Sequence, residues 1–96
     1  MFDKMKQLME FKSQAEKIKK DLEREVVEVE EVHGIRIQIS GVQSFQSIDI
    51  DESLLGREGK QDLENNLLRS MNAAIKKSQN VAASKMASVM PGLPGF

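Results

Sequence analysis

"IRIQISGVQSFQSIDIDESLL", residues 35–55, is the stretch that decides the fold. Ile35, Ile37 and Ile39 alternate strictly with Arg36, Gln38 and Ser40, the period of a half-buried β-strand. Gly41 opens a turn, and "FQSIDI" at 45–50 alternates again with Ile48 and Ile50 on one face. Upstream, "EVVEVEEV" at 25–32 sets Val27 and Val29 against Glu28 and Glu30, with β-branched residues dominating. Between them "HG" at 33–34 is a short turn in which Gly34 supplies positive φ. Three short strands joined by tight turns predict an antiparallel meander with one apolar face. Arg36 and the strand acids then fall on the wet face or at edges, where charge discourages stray pairing.

The acids of "SIDIDESLLG", residues 47–56, raise the question of a metal or acid–base site. An EF-hand loop starting at Asp49 needs Gly at its sixth position and a bidentate Glu at its twelfth. Leu54 and Lys60 stand there instead. A strand sends Asp49 and Asp51 to the wet face in any case. Asp51 is then expected to cap the turn "ESLL", accepting from the N–H groups of 53–54, while Leu54 and Leu55 return to the core.

Outward from the meander the period changes to that of helices. Over residues 2–22, Leu8, Phe11, Ala15, Ile18 and Leu22 recur at 3-4-3-4 spacing, and no Pro or Gly interrupts. Lys6, Lys17 and Lys20 cluster on the opposite face, with Lys12 and Lys19 on its flanks. So narrow a stripe wants another helix, from this chain or from a second copy. Residues 57–89 predict a second helix with Leu63, Leu67, Met71, Ala74, Ser78, Val81, Ala82 and Val89 inward. Arg69, Asn72, Lys76 and Asn80 face out, Met86 borders the stripe, and Lys85 projects into it. "MPGLPGF" at 90–96 cannot continue a helix. The predicted fold class is α+β: helix, three-stranded antiparallel meander, long helix (α-β-β-β-α). Residues 1–90 form a single domain and 91–96 a flexible Pro/Gly tail.

The chain has 96 residues and no cysteine, so no disulfide or thiolate metal site staples it. Small domains of this kind often complete their core by oligomerising. Four Phe and no Trp or Tyr argue against a stacking platform for single strands. No apolar run reaches the length of a membrane span, and the N-terminus lacks the apolar core of a signal peptide. A soluble cytoplasmic protein is expected.

The net charge of −1 hides a polarised layout. Residues 1–20 hold six Lys against Asp3, Glu10 and Glu16; residues 21–33 hold six acids against Arg24. Residues 69–96 hold Arg69, Lys76, Lys77 and Lys85 and no acid. Two basic ends flank an acidic middle, and basic helix faces suit phosphate contact.

Catalytic signatures do not emerge. The one histidine, His33, falls in a hairpin turn. Neither a Cys–His pair nor a nucleophile elbow occurs, and Gly56 and Gly59 lack phosphate-loop spacing. No enzyme, cofactor, metal site or small-molecule substrate is predicted.

The ordered combination of an alternating strand, a Gly turn, a second strand and I-D-x-x-L-L resembles one family. "DLENNLLRSMNAAIKKSQNVAASKM", the Met- and Lys-rich first helix and the Pro-Gly-Phe end resemble it too. The family is the YbaB/EbfC nucleoid-associated proteins of bacteria, and the resemblance covers nearly the whole chain. It implies a homodimer whose helices project like tweezer arms. It also implies duplex DNA as partner, a nucleoid-associated location in the cytoplasm, and a role in nucleoid organisation and gene regulation.

Carried over by position, the implied DNA contacts are Lys6, Lys12, Lys17, Lys19 and Lys20 on the first helix, and Arg69, Lys76 and Lys77 on the second. Asn72 and Asn80 are the side chains to watch for base edges. The chain departs from the family in its short first hairpin, where only "EVHG" separates Glu30 from Ile35. With Glu28, Glu30 and Glu31 beside it, that hairpin is a poor DNA contact. The alternative from the residues themselves is a protein-interaction module. It would dock partner helices on the heptad face and on Met1, Met5 and Met9.

Overall fold

The computed structural model describes residues 2–56 and 59–89. Helix α1 (Phe2–Arg24) leads into strands β1 (Val26–Val32), β2 (Ile35–Ser40) and β3 (Phe45–Ile50). A 3-10 turn (Glu52–Leu55) and helix α2 (Gly59–Val89) follow. The α-β-β-β-α order is the one the sequence predicts. The expected tail, residues 91–96, lies outside the described residues, as do Met1 and residues 57–58, where the sequence starts the second helix.

The sheet order is β1-β2-β3, antiparallel throughout. Pairings Val27↔Ile39, Val29↔Ile37 and Ile37↔Ile48 put the branched residues on one face. The first hairpin turns at Gly34 with φ +93, and Glu30 Oε2 accepts from its N–H at 3.0 Å. On the polar face, Arg36 pairs directly with Asp49 across the strands, its Nε donating at 3.2 Å. That hydrogen bond, with the carboxylate's charge, holds the guanidinium above its ordinary pKa. Asp49 is thus an ion-pair partner on a wet strand face.

Helix α2 lies over β1 and β2. Ile35, Ile37, Ile39 and Ala74 are fully buried, with Val29 beside them and Leu63, Leu67 and Met71 packed around. Each buried Ile or Val contributes about 1.5–3 kcal/mol by area, and the small Ala74 lets helix and sheet approach closely.

A second cluster ties the helices together. Ile18 and Leu22 of α1 pack with Val42, Val81, Ala82 and Met86. Gly41 makes the close approach possible: a Cβ there would lie 2.7 Å from Leu22 Cδ2 and 3.0 Å from its carbonyl oxygen. Gly41 N–H donates to the carbonyls of both Leu22 and Glu25 at 2.9 Å. Ser78, fully buried, donates to the Ser40 carbonyl at 2.7 Å and accepts from Gln43 N–H at 3.2 Å. It pins the second turn to α2.

Three expectations need correction. Asp51 is the N-cap residue of the 3-10 turn, but its side chain makes no capping bond. Its carbonyl accepts from Leu54 N–H at 3.0 Å, and its N–H donates to Gly34 at 2.8 Å, so the backbone closes the turn unaided. Leu54 packs on the core, whereas Leu55 is 59% exposed. In a 3-10 turn adjacent residues point about 120° apart, so one leucine faces inward and its neighbour does not.

The third correction concerns β3. Its apolar side is uncovered, with Ile48 47% exposed. The register shifts at the β2–β3 ladder, Gln38↔Ser47 being followed by Ile39↔Phe45. This bulge turns Phe45 onto the apolar face beside Ile48. Alternation read without the bulge leaves Phe45 off that face.

Candidate nucleic-acid interface

Lys6, Lys12, Lys17, Lys19 and Lys20 are all exposed on α1. The helix carries them because good helix formers fill it and no Gly or Pro interrupts. It stops where β-branched Val26 and Val27 begin. Only its C-terminal half is anchored, through Ile18 and Leu22. The remainder, with Met5, Leu8, Met9 and Phe11 exposed, projects past the sheet. Lys6, Lys17 and Lys20 sit on the face turned away from that anchor. Among the described residues no α1 lysine has an acidic partner within ion-pair distance.

The α2 cations stand in a different field. Arg69 Nη2 lies 3.5 Å from Glu31 Oε1 of β1. Lys76, Lys77 and Lys85 line a groove of about 740 Å³ together with Glu25, Glu31 and Asn80. Lys85, half-buried, reaches into this groove beside Val81. Arg69, Lys76 and Lys77 are exposed but share their surroundings with the strand-one acids. Asn72 and Asn80 are exposed as well. Among the described residues, no lysine of α1 lines the groove that holds Lys76, Lys77 and Lys85. Sequence periodicity turned Lys6, Lys17, Lys20, Arg69 and Lys76 outward, and each is exposed. It missed the pairing of Arg69 with Glu31, because that depends on α2 crossing β1.

His33, with a 99% exposed side chain, stands 3.5 Å from Glu30. Among the described residues no group of three or more His, Asp and Glu gathers to hold a metal ion. Nor, among them, is any helix long and apolar enough to cross a membrane.

A "Nucleoid-associated protein" of Ruminiclostridium cellulolyticum is 29% identical over 93 residues, covering 96% of this chain and 81% of the relative. A "Nucleoid-associated protein" of Flavobacterium johnsoniae is 31% identical over 97 residues, covering 96% and 90%. The family model described as the YbaB/EbfC DNA-binding family matches residues 1–93. With nearly every residue inside that match, this chain, its paired amphipathic helices and its meander belong to the YbaB/EbfC DNA-binding family.

Proposed function

We propose that the chain acts as a homodimeric, non-enzymatic nucleoid-associated protein of the cytoplasm. It binds duplex DNA through lysine–phosphate contacts and serves nucleoid organisation and gene regulation. The observation that carries this reading is α1, whose exposed lysines, Lys6 and Lys12 on its projecting half and Lys17, Lys19 and Lys20 on the outer side of its anchored half, have no ion-pair partner among the described residues. The relatives' names point the same way. Lysine is a compact point charge that suits phosphate oxygens, whereas bidentate base readout favours Arg or Asn/Gln. Little sequence selectivity is expected.

The dimer reading rests on apolar surface. Phe45 and Ile48 of β3 are 38% and 47% exposed, on the same side as the α2-covered core. Arg69 and Ala73 mark the flank of α2 that overlooks β1. At 100° per residue, Leu68, 62% exposed, and Ile75 fall on the other flank. Uncovered β3 and this flank together form an apolar surface of the kind a second copy buries.

The test is a duplex titration at several salt concentrations, with sedimentation to fix the assembly state. Affinity should fall steeply with salt, the slope scaling as roughly 0.9 per phosphate neutralised. Lys17→Glu with Lys20→Glu should weaken binding and flatten that slope while the dimer persists. A salt-independent affinity would exclude a phosphate-driven mode, and a monomer at all concentrations would remove the dimer.

A further inference from the structure

Near its start, α1 is apolar on two sides. Leu8 and Phe11 continue the stripe that Ile18 and Leu22 bury, but Met5 and Met9 stand off it, 65% and 70% exposed. At 100° per residue they lie about 100° and 140° round from Leu22. That places them among the cations. Lys12 bounds their arc on one side and Lys6 on the other, about 120° apart, and Ser13 falls between. Asp3 and Glu10 fall outside this arc, so within residues 3–13 it holds no acid. A shallow hollow of about 620 Å³ is lined by the two methionines with Lys6 and Ser13. Glu10, about 40° beyond Lys6, stands at its edge.

We propose that this part of α1 lies in the major groove of DNA, with Met5 and Met9 against the C5-methyl groups of thymine and Lys6 and Lys12 on the phosphates to either side. The inference rests on the duplex-binding reading and adds a base contact to it. An α-helix is about 10–12 Å across and the major groove about 12 Å wide, so the helix fits. The thymine methyl is the apolar group that base edges present there. Methionine suits it, being unbranched, polarizable and able to shape itself to the surface it meets. Cations on both sides of an apolar strip match a groove floor bounded by two phosphate backbones. A second copy of this face does not match, because both of its edges are cationic and any self-pairing sets lysine against lysine. An anionic membrane matches less well. Residues 2–13 hold three lysines against two acids, whereas a polybasic membrane segment carries about 4–8 basic residues.

The test is fluorescence anisotropy with a labelled duplex and with its twin in which deoxyuridine, lacking only the C5-methyl, replaces every thymine. The full-length chain should bind the thymine duplex about threefold tighter, the scale of burying one methyl group. Met5→Ser with Met9→Ser should bind both duplexes equally, at the unaltered chain's affinity for the deoxyuridine duplex. Its salt slope should not change, because Lys6 and Lys12 remain. Gln7→Ser, exposed on the opposite side of the helix, lowers helix propensity in the same way and should keep the preference. Equal affinity of the unaltered chain for the two duplexes, with salt dependence intact, would overturn the methionine contact and leave the phosphate mode standing. Absence of salt-dependent binding would remove both. A preference that survives in the methionine variant, or that Gln7→Ser abolishes, would also overturn the contact. So would capture by phosphatidylglycerol vesicles that depends on Met5 and Met9, since that assigns the face to lipid.

Discussion

Helices α1 and α2 share a design and differ in what lies beneath them. Both are amphipathic, both carry lysines outward, and both contribute to the Ile18–Leu22 cluster. Yet α2 rests on the sheet through Leu63, Leu67, Met71 and Ala74, while α1 is held by two side chains near its end. The sheet also brings its acids. Glu31 reaches Arg69 and, with Glu25, borders Lys76 and Lys77, whereas no lysine of α1 is ion-paired among the described residues. Stability and free positive charge are thus divided between the helices, and the division comes from the sheet.

The largest effects should follow from this division of anchoring. Ile37→Ala removes a fully buried side chain between α2 and the sheet. It should cost about 2–5 kcal/mol of global stability in a urea melt. Ile18→Ala cuts into a cluster that holds only α1. It should raise exchange along α1 while leaving sheet amides protected, a local opening rather than global unfolding. Loss of sheet protection in the Ile18 variant would show that the helices unfold as one unit. Next in size is Gly41→Ala. The added Cβ meets Leu22, including its backbone carbonyl, so the end of α1 has to shift, at about 1–3 kcal/mol. Exchange of residues 18–24 should rise with it.

These anchoring residues also mark how far the sequence could be read. The meander was legible because Ile35, Ile37 and Ile39 alternate without a break, and period 2 has one structural meaning there. The face of each helix was legible for the same reason at period 3.6. Gly41 was legible as a turn but not as a packing site: its φ is not positive, and its constraint is the approach of Leu22 from 19 residues earlier. Ser78 fell on the inward stripe, but its bond to Ser40 joins residues 38 apart, beyond any periodicity. Phe45 was hidden by the bulge, which changes which side a residue takes. The candidate site divides likewise. Which residues are basic and outward is local information; which of them lie beside acids is tertiary.

The two charge sets can be set against each other directly. Lys17→Glu with Lys20→Glu on α1 and Lys76→Glu with Lys77→Glu on α2 change the net charge equally. Differences between them therefore report position. The α1 pair should lower duplex affinity about tenfold or more at moderate salt, and the α2 pair about two- to threefold. Fluorescence anisotropy with a labelled duplex reads both. Equal losses would mean that the acids of β1 do not attenuate α2. A larger loss from the α2 pair would move the main contact surface onto that helix.

The smallest and sharpest effect is expected at Glu31. Its pair with Arg69 is surface-exposed, with side chains 45% and 64% accessible, so its contribution to folding is slight. Its electrostatic influence on a bound polyanion is not slight, because it stands beside the cations of α2 in a groove it helps to line. Glu31→Gln keeps the shape, frees Arg69 and removes one repulsive charge. Duplex affinity should rise by about twofold at low salt, the gain vanishing as the screening length contracts. Glu52→Gln supplies the control: it makes the same change in net charge on the exposed 3-10 turn. If Glu52→Gln raises affinity as much, net charge alone explains the gain, and β1 has no special hold over α2. If only Glu31→Gln does, the acidic strand sets how much of the second helix the DNA meets.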